Sequence, residues 1–114
     1  MSDTFEVREA WERSRRLAQT AVSEASRRVR DYAKAEADYY AAKAKAALRM
    51  KAEGVPATVI SATVKGDPEV NRLLYERIAA EGLYRAAMKA IDVYRDDARN
   101  TYDEYRRTMT GDNL

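Results

Sequence analysis

Residues 51–68, KAEGVPATVISATVKGDP, decide the fold, because they hold both prolines and two of the four glycines of a 114-residue chain. Gly54 is placed to end a preceding helix in a left-handed conformation, and Pro56 follows at the usual distance. Asp67 and Pro68 are typical of a helix start, an N-cap aspartate followed by a proline in the first helical position. The segment therefore predicts a helix, a compact connection and a second helix.

The connection itself, ATVISATV at residues 57–64, is rich in β-branched side chains, whose propensity allows a short strand. A lone strand without a partner would leave its backbone hydrogen-bonding groups unpaired. We therefore expect a short helix or wound turn over about residues 56–65, with an extended conformation as the alternative.

The flanking stretches are rich in Ala, Arg, Glu and Lys, which are strong helix formers, and Gly82 is the one breaker inside them. Apolar or small residues recur at alternating steps of three and four, as on one face of a helix. The pattern predicts a helix over about residues 4–53, a second over about 68–109 and a frayed tail over 110–114. The fold class is all-α: a single domain, residues 1–114, in which two long antiparallel helices form a coiled-coil-like hairpin.

The short connection also predicts a register, in which Tyr32 lies opposite roughly Met88 if the helices pair from their ends at the connection. This register places the acidic stretch between Asp92 and Glu104 opposite a cluster of arginines near residues 15–30. The two sets of charges then compensate each other, which supports the antiparallel arrangement.

The apolar side chains spread over a wider face than the seam of one hairpin needs, since Leu17, Leu48 and Met88 lie beside the predicted stripes. Because a helix of a hairpin buries one stripe, the wide faces predict association with further helices. We expect a homo-oligomer, most simply a dimer with a four-helix core. A glycine inside a helix, such as Gly82, lowers helix stability by about 1 kcal/mol relative to alanine. We expect that a glycine occupies this position because a neighbouring backbone approaches closely there.

The composition excludes several classes of site. The chain has no cysteine and no histidine, which excludes disulfides, zinc sites with those ligands and histidine acid–base chemistry. It also lacks a glycine-rich phosphate loop. Asp92 and Asp96 share a helical face, but the interleaved arginines favour ion pairing over a metal site. We expect no enzymatic activity, no cofactor and, without a leader or a long apolar run, no membrane partner.

The basic residues near the connection form the candidate partner-binding surface. No acid occurs between Asp38 and Glu53, and the predicted register places a formally neutral segment opposite, so these bases lack an internal counterpart. The connection also carries more apolar residues than a solvated loop needs. The predicted contact residues are Lys43, Lys45, Arg49, Lys51, Val55, Val59 and Ile60. An apolar centre with a basic rim is typical of a protein contact; a phosphate footprint on nucleic acid and a merely solvated helix face are the alternatives.

Two stretches resemble a known group of proteins: YAAKAKAALRMKAEGVPATVISATVKGDPEV at residues 40–70 and LLYERIAAEGLYRAAMKAIDVYRDDAR at 73–99. Their pattern is a Lys-x-x-Gly-x-Pro-x-Thr turn, a Lys-Gly-Asp break and a Leu-Tyr-x-x-Ala-x-x-Ala-Ile helix. It is similar to that of small helical proteins encoded by phages and prophages of Gram-positive bacteria.

The resemblance implies a gene near early recombination and replication genes, and a protein of the host bacterial cytoplasm. We expect a non-enzymatic interaction protein that binds a bacterial defence or DNA-processing complex and modulates or inhibits it. The alternative is a DNA- or RNA-binding accessory in phage recombination or replication, and a structural role in the virion is favoured less.

Overall fold

The computed structural model describes residues 4–111, and it contains three helices: α1 (Thr4–Ala52), α2 (Ala57–Val64) and α3 (Pro68–Thr110). Helices account for 93 % of the described residues, and none of residues 4–111 lies in a strand. The predicted all-α fold and the predicted bounds of both long helices are confirmed to within about one residue. The predicted tail beyond Gly111 lies outside the described residues.

The α1 helix ends in a Schellman motif. Gly54 has a φ of 88°, the amide of Val55 donates to the carbonyl of Met50 at 3.0 Å, and the amide of Gly54 donates to Lys51 at 3.1 Å. Val55 then packs against the cluster that contains Met50, as the hydrophobic contact of this motif requires. The left-handed glycine therefore both ends α1 and turns the chain towards α2.

The connection forms the helix α2, so the helical expectation is confirmed over the extended alternative. At its far end Asp67 caps α3, because its Oδ1 accepts a hydrogen bond from the amide of Val70 at 3.0 Å. The Asp67-Pro68 start signal is confirmed by this contact. A helix here satisfies within itself the backbone groups that a single strand would have left unpaired.

By its contacts the chain divides into two compact units. The turn unit, Arg28–Tyr84, contains the second half of α1, all of α2 and the first part of α3. Its core combines side chains from all three helices. The buried members are Ala46, Met50, Val64 and Val70, with Tyr39, Ala42, Ala47, Val55 and Ile60 packed against them.

The terminal unit consists of the described parts of Met1–Arg27 and Arg85–Leu114. Its buried cluster is dominated by alanine, and its members are Ala21, Ala25, Ala87 and Ile91, with Tyr94 against them. Nearer the chain ends, the Trp11 ring lies 5.2 Å from Tyr102 and 5.5 Å from Tyr105, measured between centroids. The buried Ser14 hydroxyl donates to Oδ2 of Asp97 at 2.6 Å.

Within each unit α1 and α3 pack antiparallel, but the predicted register is wrong. Tyr32 stacks on Tyr84 with 6.1 Å between ring centroids, one helical turn before the expected Met88. The predicted stripes are also displaced in places, because Val22 and Ile78 are exposed. Alanine recurs on several faces of both helices, so a shift of one turn exchanges one alanine contact for another and the sequence does not distinguish the two registers.

The described helices bury their apolar side chains only shallowly. No large side chain among residues 4–111 is fully enclosed, and Leu48 and Tyr75 are about 69% and 72% exposed. The described helices include none that combines the length and the apolar character needed to span a membrane.

Candidate contact surface

A groove of about 350 Å³ lies in the turn unit between α1 and α2. Its lining residues are Lys43, Ala47, Ala57, Ile60, Ser61, Val64 and Lys65. The α2 members recur at steps of three and four, so they share one face of that helix. The groove therefore has an apolar floor with a lysine from each of its two walls, and we call it the α1–α2 groove.

Lys43 stands over a pair of aromatic rings. Its ammonium lies 5.3 Å from the ring centroid of Tyr39 and 5.9 Å from that of Tyr40, distances at which a cation is attracted to a ring face. The Arg77 guanidinium lies 4.8 Å from the Tyr39 ring centroid. Within residues 4–111 Lys43 forms no ion pair with a carboxylate, so its charge remains available to a partner.

Arg49 does have an internal counterpart, contrary to the sequence-based expectation. Its Nη2 donates to Oδ2 of Asp67 at 2.7 Å, and its Nε lies 3.8 Å from a Glu53 carboxylate oxygen. The expectation was wrong because it placed Asn71 opposite Arg49, whereas the tight connection brings the α3 N-cap to the last turn of α1. The hydrogen bond from Arg49 and that from the Val70 amide lower the pKa of Asp67 below its ordinary range.

The remaining predicted contact residues are divided between surface and core. Lys45 and Lys51 are exposed. The pKa of Glu69 is lowered mainly by a hydrogen bond from Arg72, and the charge of Lys45 lowers it further. Val59 is exposed on α2, whereas Val55 is half-buried against the core. Of the four predicted bases, Arg49 is therefore paired within the chain, whereas Lys45 and Lys51 lie on the surface.

Ile60 and Lys43 are the two predicted residues that the structure brings together in the α1–α2 groove. Ile60 is half-buried and packs against the core cluster as well, so it is both core and lining. The residues named in the sequence prediction did not include five others that complete the lining, which are Ala47, Ala57, Ser61, Val64 and Lys65. For Ser61 and Lys65 the signal in the sequence was their spacing of four residues from one another and from Ala57. In a helix over residues 57–64 this spacing places them on one face.

The groove offers apolar contact and positive charge rather than a reacting group. Among residues 4–111 no group of three or more Asp and Glu side chains is placed to hold a metal ion. Comparison of the chain with protein-family models, curated proteins and solved structures finds no match. The functional proposal therefore depends on the residues themselves.

Proposed function

We propose that this chain is a non-enzymatic interaction protein of phage or prophage origin that binds a bacterial protein through the α1–α2 groove. Its target is a defence or DNA-processing complex in the host cytoplasm, which it modulates or inhibits by occupying a surface. The origin and the class of target are supported by the resemblance of residues 40–99 to phage-encoded helical proteins.

The observation that carries the proposal is the composition of the groove. Ala47, Ile60 and Val64 line it, and lysines stand at its edge. Protein contact surfaces commonly have an apolar centre and a polar rim, and this arrangement fits that description better than it fits a phosphate footprint.

The charge distribution favours a protein partner over nucleic acid. The net charge is only +2, and Arg49, one of the four bases predicted to contact a partner, is paired with Asp67. A direct nucleic-acid binder normally presents a stripe of uncompensated bases. The bases near this groove are interrupted by apolar positions instead.

A photo-crosslinking amino acid at Ser61, which is exposed and lines the groove, tests the proposal in host lysate. We expect a protein adduct that persists after nuclease treatment. The same probe at Val93, which is about 60% exposed in the terminal unit, should give no such adduct. Adducts that vanish with nuclease would favour the nucleic-acid accessory role instead.

Filling the groove tests whether capture of the partner by the Ser61 probe requires an open groove. Ala47→Trp places a large side chain on the groove floor without changing its charge, and we expect it to abolish capture by the Ser61 probe. Ala33→Trp, at an exposed alanine of the same helix, should leave capture intact. If capture survives Ala47→Trp in a folded chain, the groove is not the contact surface.

We also propose that the chain self-associates through helix faces that its own fold leaves uncovered. On α3 of the turn unit Tyr75, Ile78 and Gly82 recur at steps of three and four, and Ile78 is about 57% exposed. A Cβ at Gly82 would meet nothing within 4 Å, so the neighbouring backbone expected from the sequence does not come from the described chain. A second copy would supply it, and a 13.0 kDa particle in light scattering at micromolar concentration would contradict this.

A further inference from the structure

We infer that the α1–α2 groove binds an acidic amphipathic helix of its protein partner, with apolar side chains over the groove floor and carboxylates at Lys43 and Lys65. The inference rests on the proposed protein-binding function and adds the chemistry of the bound segment.

The charge of the occupant follows from the two lysines of the groove. Lys43 projects from α1 and Lys65 follows the last residue of α2, and neither forms an ion pair within residues 4–111. By contrast, Arg49, Arg72 and Lys34 of the same unit each hold a carboxylate at 2.7 Å. The turn unit therefore pairs several of its cations internally and leaves others without an ion pair, among them the two that flank the groove.

The conformation of the occupant follows from the walls of the groove. Both walls are helices, and no sheet edge exists among residues 4–111 to which an extended peptide could add a strand. A helix laid between α1 and α2 presents anchors at steps of three and four, which matches the spacing of Ala57, Ile60 and Val64 below it. The groove volume of about 350 Å³ is near the lower end of the range for binding clefts, so it suits a few apolar side chains.

The aromatic residues beside the groove argue against nucleic acid as the occupant. Base stacking needs an open ring face, but the cations of Lys43 and Arg77 both lie over Tyr39, and Lys43 also lies over one face of Tyr40, which is about 52% exposed. The two rings are tilted towards each other at 51° with 5.4 Å between centroids. They serve to hold the Lys43 ammonium beside the groove.

The test is a selection from a display library of helical peptides of about four turns, in which positions flanking a fixed leucine stripe carry Glu, Lys or Gln. We expect the selected peptides to be enriched in glutamate. Binding of the best peptide, measured by fluorescence anisotropy, should weaken about tenfold or more in a chain carrying both Lys43→Glu and Lys65→Glu. The doubly substituted chain should in turn prefer the lysine counterpart of that peptide.

Two further variants keep the test decisive. Ser61→Glu places one carboxylate at an exposed position of the groove, and we expect it to weaken binding of the glutamate peptide even if the double variant melts early. Lys89→Glu changes an exposed lysine outside the groove lining and should have no effect on peptide binding.

Selected peptides that are basic or uncharged, or peptide binding that is unchanged in the groove variants, would overturn the inference. The proposed function would survive that result if crosslinking at Ser61 still depended on Ala47, whereas loss of that dependence would reject both.

Discussion

The turn unit and the terminal unit hold the same two helices together in different ways. In the turn unit α2 adds a third element, and the core mixes large and small side chains such as Met50, Val64 and Val70. The terminal unit has only α1 and α3, and alanines such as Ala25 and Ala87 dominate its buried cluster. A third helix supplies core volume in the turn unit, whereas the buried cluster of the terminal unit consists mostly of small side chains, which are compatible with close packing of two helices.

The two units also differ in their polar contacts. The turn unit joins the end of α1 to the start of α3 through Arg49 and Asp67. In the terminal unit the ion pairs Arg8–Glu12 and Arg99–Asp96 link neighbouring turns of one helix, and a polar contact between α1 and α3 is the hydrogen bond that Ser14 donates to Asp97. Exposed pairs of that kind contribute little stability, so we expect the two units to respond differently to substitution in their cores.

The largest expected effect is that of Met50→Ala. Met50 is buried in the three-helix core of the turn unit, and truncating a buried methionine to alanine costs about 2–5 kcal/mol because a cavity remains. Urea unfolding followed by circular dichroism measures this loss. Leu48→Ala, two residues away but exposed, should change the free energy of unfolding by less than about 0.5 kcal/mol. Equal losses in the two variants would show that the core is not where the structure places it.

The converse substitution, Ala25→Leu, sharpens the comparison in the terminal unit. Extra methylene groups in a well-packed seam cost about 1–3 kcal/mol, and Ala25 is buried against the cluster that contains Ala87 and Ile91. The exposed Ala33 accepts leucine without that cost, so Ala33→Leu is the control. If Ala25→Leu were neutral or stabilising in urea unfolding, the alanines would not be there for close packing.

The elements of this fold were predictable from sequence because strong local signals delimit them. Gly54 and Pro56 end α1, and Asp67 with Pro68 begins α3, each through a backbone geometry that few other residues favour. The register was not predictable, because alanines at several positions of both helices can replace one another in the seam and identify no single partner. The exposure of Val22 follows from the same ambiguity, since Ala21 occupies the buried position instead.

The candidate site was predictable in part for a related reason. Lys43 and Ile60 were found because an apolar connection next to a run of bases is visible in the sequence. The pairing of Arg49 with Asp67 was missed because it depends on how closely the connection folds back, which no local pattern encodes. Lys65 was not among the predicted contact residues, and its position at the groove depends on how α2 packs against α1.

Asp67 provides the next comparison, because it is both an N-cap and an ion-pair partner. Asp67→Asn retains an acceptor for the Val70 amide but removes the charge that faces Arg49. Asp67→Ala removes both interactions, so we expect thermal melting to rank the chains wild type, Asp67→Asn and Asp67→Ala in falling stability. If the two variants melt alike, the cap contributes nothing beyond the ion pair.

The same residue predicts a pH dependence. The folded-state pKa of Asp67 is lowered from its ordinary value of 3.8, mainly by the Arg49 hydrogen bond. A carboxyl with a depressed folded pKa stabilises the fold above its unfolded pKa and loses that contribution as the pH falls through the folded pKa. We therefore expect wild type to lose more stability than Asp67→Asn on acidification below about pH 4, and an identical loss in both chains would contradict the role of this pair.

The smallest expected effect, and the only stabilising one, is that of Gly82→Ala. Gly82 lies inside α3 with open space where a Cβ would be, so alanine should stabilise the isolated chain by up to about 1 kcal/mol through helix propensity alone. Gly54→Ala is the matched control and should destabilise the fold, since the φ of 88° at Gly54 disfavours any residue with a side chain.

The informative measurement for Gly82→Ala is the concentration dependence of melting. If a second copy packs closely at Gly82, the substitution raises the melting temperature of the dilute chain and weakens association at the same time. If both stability and association rise, or association is unchanged, the copies meet on another face, and the glycine has no role in assembly.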